Sequence, residues 1–223
     1  MNKKLLIEAF IKFILGLLLV TGLLLIPAGS LYYNNAWLLI VLLFIPMFIV
    51  GILLMIINPN LLRRRLDAKE QEMEQKEVII LSGIMFISGF IIAGLNFRYQ
   101  WLILPNSIVI IGSIIFLISY ILYGEVLREN EYLSRTIKVE KDQKLIDTGF
   151  YSIIRHPMYS ITIFLFLSMP LVLNSIYTFL IFLIYPIIII KRIKNEEEVL
   201  EKELKGYKEY KKKVKYRLIP YIW

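Results

Sequence analysis

Gly149-Phe150-Tyr151-Ser152-Ile153-Ile154-Arg155-His156-Pro157-Met158-Tyr159-Ser160 is the stretch where a charged segment of the chain turns into an apolar one. Proline has no backbone N–H to lose, and its fixed φ suits the first turn of a helix. Pro157 therefore opens a membrane helix, and Arg155 and His156, the single histidine of the chain, stay at the water boundary. Two apolar runs follow, Met158 to Leu173 and Ile176 to Ile190, separated only by Asn174-Ser175. They read as a tight helical hairpin, short for a hydrocarbon core of about 30 Å. Pro170 and Pro186 mark kinks within it.

Beyond the hairpin, a tail beginning Lys191-Arg192-Ile193-Lys194-Asn195-Glu196-Glu197-Glu198 carries eleven basic and six acidic residues. Val199, Leu200, Leu204, Tyr207 and Val214 recur at helical spacing, which predicts an amphipathic helix with a break at Gly206. Its apolar face is expected on the membrane or over the loop that holds His156.

Four further spans are expected upstream: Leu5 to Pro27, Ala36 to Ile57, about Val78 to Leu95, and about Leu102 to Tyr123 with Pro105 in its first turn. Glu8 and Lys12 lie four apart in the first and read as an interfacial ion pair. Tyr32, Tyr33 and Trp37 form an aromatic belt, and Asn58-Pro59-Asn60 stops the second span. Asn96 to Trp101 reads as a short outer turn. The outer loops hold one basic residue, Arg98, against five between Arg63 and Lys76 and six between Arg128 and Arg155. This asymmetry puts both termini, and the mouth of the hairpin, on the cytoplasmic side. Glu125 to Tyr132 reads as a helix leaving the bilayer, and Val139 to Gly149 as extended or turn-forming.

The fold class is therefore all-α: a polytopic integral membrane protein of about six helices with a cytoplasmic amphipathic tail. Its organisation is a four-span region, 1–123, and a core, 124–223, comprising loop, hairpin 157–190 and tail 191–223. Composition agrees, with 223 residues, 58% of them hydrophobic, and a mean hydropathy of +0.67. The net charge of +8 is confined to particular loops, as membrane orientation requires, so nucleic acid is not the expected partner. Zero cysteines exclude disulfides and thiolate chemistry, and one histidine argues against a metal site.

On a helix Arg192 and Glu196 share a face. With Arg155, His156, Tyr151 and Tyr159 they offer a carboxylate, two guanidiniums, an imidazole and two phenols above an apolar cavity. That mouth suits a cofactor polar at one end and a substrate that enters from the bilayer. Each block also has a plainer reading: Arg155-His156 as an anchor before a membrane helix, and Glu196-Glu197-Glu198 as a solvated helix face. The residues by themselves give a site and no reaction.

The chain resembles the isoprenylcysteine carboxyl methyltransferase family and the related membrane phospholipid methyltransferases. The resemblance is carried by Gly149-x-Tyr151, by Arg155-His156-Pro157-x-Tyr159, and after the hairpin by Arg192-x-x-x-Glu196-Glu197-x-x-Leu200, Gly206-Tyr207-x-x-Tyr210 and Arg217-Leu218-Ile219-Pro220. It covers about Asn130 to Trp223. It implies S-adenosyl-L-methionine as methyl donor, held by Gln143, Lys144, Leu145, Ile146, Tyr151, Arg155, His156, Pro157, Met158, Tyr159 and Glu196. The family often has a histidine where Gln143 stands. Arg192 matches the substrate-orienting arginine, and Glu196 or Glu197 would be the base for an amine or hydroxyl acceptor. The acceptor implied is lipophilic or lipid-linked, for instance the carboxylate of a prenylcysteine. Two other readings stand beside this one. Membrane sterol and steroid reductases, which use NADPH, share an RHP-type block but usually carry asparagine where this chain has Met158. The other is a non-catalytic membrane scaffold.

Overall fold

The computed structural model describes residues 3–67, 73–137, 139–140 and 142–223. Lys69, Lys138 and Lys141, counted above among the loop cations, lie outside the described residues. Within them the chain forms nine α-helices and no strand. They are α1 (Lys3–Ala28), α2 (Asn34–Ile57), α3 (Pro59–Leu66), α4 (Met73–Tyr99), α5 (Asn106–Glu129), α6 (Pro157–Val172), α7 (Ile176–Phe182), α8 (Tyr185–Glu203) and α9 (Tyr207–Lys213). Helices α1, α2, α4 and α5, and α7 with α8 taken together, are long and apolar enough to cross a membrane. Helix α6, at 16 residues, is shorter. Leucines and isoleucines such as Leu18, Ile57, Ile84, Ile121 and Ile187 project outward, as a lipid-facing surface does.

Several boundaries differ from those expected. Leu61 to Leu66 is not open loop but the short helix α3, started by Pro59 and capped by Asn58, whose side chain accepts from the Leu61 N–H at 3.0 Å. Helix α4 extends beyond Val78–Leu95 at both ends because tertiary partners satisfy its polar turns. Gln75 is wholly buried against α8, and at the other end Asn96 bonds the carbonyls of Leu102 and Asn174. The outer turn is thus displaced from Asn96–Trp101 to residues 100–105. Residues 102–105 are not helical; Pro105 is the residue before α5, and that helix continues to Glu129. The second arm of the hairpin is broken at Leu183-Ile184, since Pro186 lacks an N–H and its ring opposes the carbonyl four residues earlier. Past residue 190 the helix continues to Glu203, so Arg192 and Glu196 stand on the same rod as buried Ile188 and Ile189. Glu8 and Lys12 pair as expected at 2.5 Å on the exposed surface.

The hairpin is the centre of the bundle. Helix α6 packs along α5, and α4 lies against α1, α7 and α8. Gly112 makes the first contact possible: a Cβ there would sit 2.6 Å from Leu171 Cβ and 3.1 Å from the Val172 nitrogen. At the tip, carbonyls that α6 leaves unpaired are taken up by neighbouring loops. Tyr33 donates to the Leu173 carbonyl at 2.6 Å and Asn35 to that of Val172 at 2.9 Å. Asn174 exchanges bonds with the backbone of Leu104, accepting from its N–H at 2.5 Å and donating to its carbonyl at 3.2 Å. The tip therefore reaches the level of the α1–α2 and α4–α5 connections. Phe86, Phe90, Phe166, Phe182 and Tyr185 fill the interior in edge-on and tilted ring contacts.

Gly112→Ile is expected to force α5 and α6 apart and destabilise the protein by about 1–3 kcal/mol, the usual range for overpacking. Thermal unfolding in detergent, followed beside an outward-facing control such as Ile121→Val, checks this.

Candidate active site

The polar end of the hairpin is built around one buried carboxylate. Glu197 is 3% exposed. Its Oε1 accepts from Arg155 Nε at 2.7 Å and lies 3.3 Å from His156 Nε2, and its Oε2 accepts from Arg217 Nε at 2.9 Å. Arg155 Nη1 donates in addition to the carbonyls of Val214 at 2.7 Å and Lys215 at 2.8 Å. The backbone repeats the connection: the N–H groups of Arg155 and His156 donate to the carbonyls of Tyr216 and Arg217, both at 2.9 Å. The C-terminal segment is thereby tied to the mouth of α6, and Arg217 lies over the Trp223 ring. His156 precedes α6 with non-helical backbone, and Pro157 takes the first turn.

A second chain of bonds runs beside the first. Arg192 Nε donates to the Tyr159 hydroxyl at 2.7 Å, and that hydroxyl donates to Glu196 Oε2 at 2.5 Å. The i, i+4 pair is thus joined through a phenol from α6. Arg192 also donates to Gln75 Oε1 at 2.9 Å and to the Arg135 carbonyl at 2.7 Å. Gln75 in turn donates to Asn195 Oδ1 at 2.7 Å. The segment from Glu131 to Arg135 is gripped from α3 as well, Arg64 donating to the Glu131 carbonyl at 2.7 Å and Arg65 to that of Ser134 at 3.3 Å. Arg65 additionally bonds the Tyr123 hydroxyl.

The wall opposite α8 is set by a 3-10 turn, Gly149–Ser152. Gly149 has φ +48°, and a Cβ there would collide with the Glu129 carboxylate, which accepts from Thr148 Oγ1 at 3.1 Å and the Phe150 N–H at 3.2 Å. The end of α5 thereby holds the turn that positions Tyr151. Asn130 donates to the Tyr151 hydroxyl at 3.0 Å, and Tyr210 donates to the Tyr151 carbonyl at 2.7 Å. Burial raises the pKa of Tyr151, Tyr207 and Tyr210, so all three are neutral phenols near pH 7.

Between these walls lies a cavity. Of the residues singled out from the sequence, Gln143, Lys144, Leu145, Ile146, Tyr151, Arg155, His156, Met158, Tyr159, Arg192 and Glu196 line it. Pro157 and Glu197 do not. Glu197 has both oxygens engaged by cationic side chains behind the cavity wall, whereas Glu196 faces the cavity. The tail packs as a lid of side chains, with Leu200, Leu204, Tyr207, Tyr210 and Val214 closing on Val139 and Leu145. Asn130, Ser134, Thr136 and Tyr207 also line the cavity without having been assigned roles from the sequence, and Gln75 and Arg217 support it from behind. Nothing local in the sequence marks Gln75, a glutamine in a charged run. Arg217 sits in a recognisable block, but its partner is twenty residues away. Among the described residues no group of three or more histidine, aspartate or glutamate side chains could hold a metal.

Residues 110–202 match the model of the isoprenylcysteine carboxyl methyltransferase (ICMT) family. That segment, less than half of the chain, is similar to the ICMT family. It runs from within α5 nearly to the end of α8 and includes the Arg155-His156-Pro157 mouth, Arg192 and Glu196. The structure of the eukaryotic intramembrane Ras methyltransferase ICMT has a similar fold, with a TM-score of 0.50 and 14% identity over 100% of this chain and 87% of that one. A Delta(14)-sterol reductase of Mus musculus, TM7SF2, is 29% identical over 91 residues. That match takes in 40% of this chain and only 22% of the reductase. With its apolar helices and ICMT-like fold, this is a multi-pass membrane protein.

Removing Glu197 leaves the buried Arg155 guanidinium and His156 imidazole, and the partly exposed Arg217, without their shared acceptor. Glu197→Ala is expected to cost about 3–5 kcal/mol, the range for breaking a buried charge cluster. Glu196→Gln, which keeps a partner for the Tyr159 hydroxyl, is expected to leave the melting temperature in detergent near that of the wild type. Equal destabilisation by the two variants would contradict the division between the glutamates.

Proposed function

We propose that this protein is an S-adenosyl-L-methionine-dependent methyltransferase that acts on a lipophilic or lipid-linked acceptor, with its site on the cytoplasmic side. The observation that carries the reading is the convergence of the Arg155-His156-Pro157-x-Tyr159 block and Arg192-x-x-x-Glu196 on one cavity, both blocks lying within the segment similar to the ICMT family.

The residues present fit such a cofactor. Its sulfonium is a cation, and Glu196, Tyr159 and Tyr151 supply a carboxylate and aromatic faces on the cavity side. Its remaining parts are a nucleoside and an amino-acid end, and the cavity has apolar side chains, Leu145 and Leu200, and polar ones, Asn130 and Lys144, to receive them. When bound, the cofactor supplies an electrophilic methyl group, and transfer is an in-line displacement for which positioning is the main requirement. The chain's part is therefore orientation and charge balance. Tyr159 holds Glu196 and Arg192 at a set separation through its hydroxyl. Arg192 would direct an anionic acceptor by exchanging one of its present partners for the acceptor's oxygens. An anionic acceptor group is favoured there because the guanidiniums of Arg65, Arg135 and Arg192 crowd together. The Arg135 pKa is depressed below its ordinary range by burial first and then by the other two. For a carboxylate acceptor no base is needed. For an amine or hydroxyl, Glu196 is the base the geometry favours over Glu197.

The similarity to the sterol reductase supports a second reading, an NADPH-dependent membrane reductase. Calorimetric titration of the detergent-purified protein with S-adenosylmethionine, its demethylated product and NADPH separates the two. The expected result is saturable binding of the first two and none of NADPH. Glu196→Gln is expected to weaken S-adenosylmethionine by about tenfold or more, the worth of one charge-assisted contact. Binding of NADPH alone would overturn the methyltransferase reading in favour of the reductase.

A further inference from the structure

Among the described residues, a single buried side-chain polar atom has no hydrogen-bond partner, and it is the hydroxyl of Tyr207. Tyr207 is 3% exposed and lines the same cavity as Tyr159 and Glu196. It lies outside residues 110–202 and has no role in the cluster around Glu197 or in the chain from Arg192 to Glu196. A buried hydroxyl without a partner is costly, and folded proteins rarely leave one so.

The surroundings offer no internal remedy. The ring packs with Leu204, Tyr210 and Val214, with Leu145 and Leu200 beside them, and Tyr210 has given its own proton to the Tyr151 carbonyl. Burial, with the nearby carboxylates Glu197 and Glu196 adding to it, keeps the Tyr207 phenol protonated. It is therefore a neutral hydroxyl, able to donate, on a residue that lines the cavity among aliphatic and aromatic side chains. Such walls suit the flat faces of a heterocycle. The neighbouring carboxylates disfavour an anion and leave a neutral acceptor as the partner.

We propose that Tyr207 is a ligand-contacting residue, donating its hydroxyl hydrogen bond to a neutral acceptor on the nucleoside end of the cofactor bound in this cavity. The identity of the cofactor rests on the methyl-donor reading; the role of Tyr207 as a nucleoside contact does not.

The test uses the full chain in detergent, with wild type, Tyr207→Phe and Tyr210→Phe titrated with S-adenosylhomocysteine, 5′-methylthioadenosine and NADPH and melted without ligand. Tyr207→Phe removes only an unsatisfied hydroxyl, so its ligand-free melting temperature is expected to equal or exceed that of the wild type. Its affinity for S-adenosylhomocysteine is expected to fall by about 3- to 10-fold, with the same factor for 5′-methylthioadenosine, which keeps the nucleoside and lacks the amino acid. Tyr210→Phe, which loses a bond to the Tyr151 carbonyl, is expected to melt lower. Unchanged affinities in Tyr207→Phe, or a drop in its melting temperature or failure to fold, would overturn the assignment while leaving the methyltransferase reading intact. If the wild type binds NADPH alone, the methyltransferase reading falls, and the same loss measured with NADPH still supports Tyr207 as the nucleoside contact. Binding of none of the three would overturn both.

Discussion

A carboxylate taken out of water has to be compensated, and at Glu197 the compensation joins three parts of the chain. Arg155 and His156 come from the mouth of α6, Glu197 from α8, and Arg217 from the C-terminal segment. Isolated, any of these groups would be expensive in the interior; together they satisfy one another. The carbonyls of Val214 and Lys215 accept further bonds from Arg155. The tail is therefore held over the cavity by interactions that depend on the hairpin being formed. A membrane helix with an arginine and a histidine at its start would otherwise leave those groups at the lipid boundary.

The second set of bonds, Arg192 to Tyr159 to Glu196, belongs to the cavity itself. The two sets share α6 and α8 but divide the work between adjacent glutamates, one turned to the interior and one to the cavity. An α-helix separates consecutive side chains by about 100° of rotation, so neighbours in sequence serve different neighbours in space. Gln75 and the Arg135 carbonyl link the cavity set to α4 and to the loop after α5. The loop is in turn gripped by α3 through Arg64 and Arg65. Arg64 and Arg65, read from the sequence as loop cations, thus position one wall of the cavity.

Much of this was legible from sequence where one strong local signal sufficed. Pro157 starts α6, Gly206 lies at a break with φ +87°, and the apolar residues of the tail share a face, because these depend on a few neighbouring residues. The limits of α4 were not legible, since its polar ends are helical only by virtue of partners on α8 and at the hairpin tip. Helix α3 was missed because a run of three arginines reads as loop until Asn58 and Pro59 are seen to cap it. The unpartnered hydroxyl of Tyr207 has no sequence signature at all; a tyrosine on an apolar face looks like core.

By itself the sequence determined the class of the protein, an all-helical membrane bundle, and the short blocks from which its site is made. Hydropathy, proline placement and residue spacing carry that information because backbone satisfaction in lipid admits few alternatives. Only the tertiary structure decided which of those residues meet. Glu196 and Glu197 are indistinguishable as letters, and it is the register of α8 against α6 and the C-terminal segment that turns one toward the cavity and the other into the fastening of the fold.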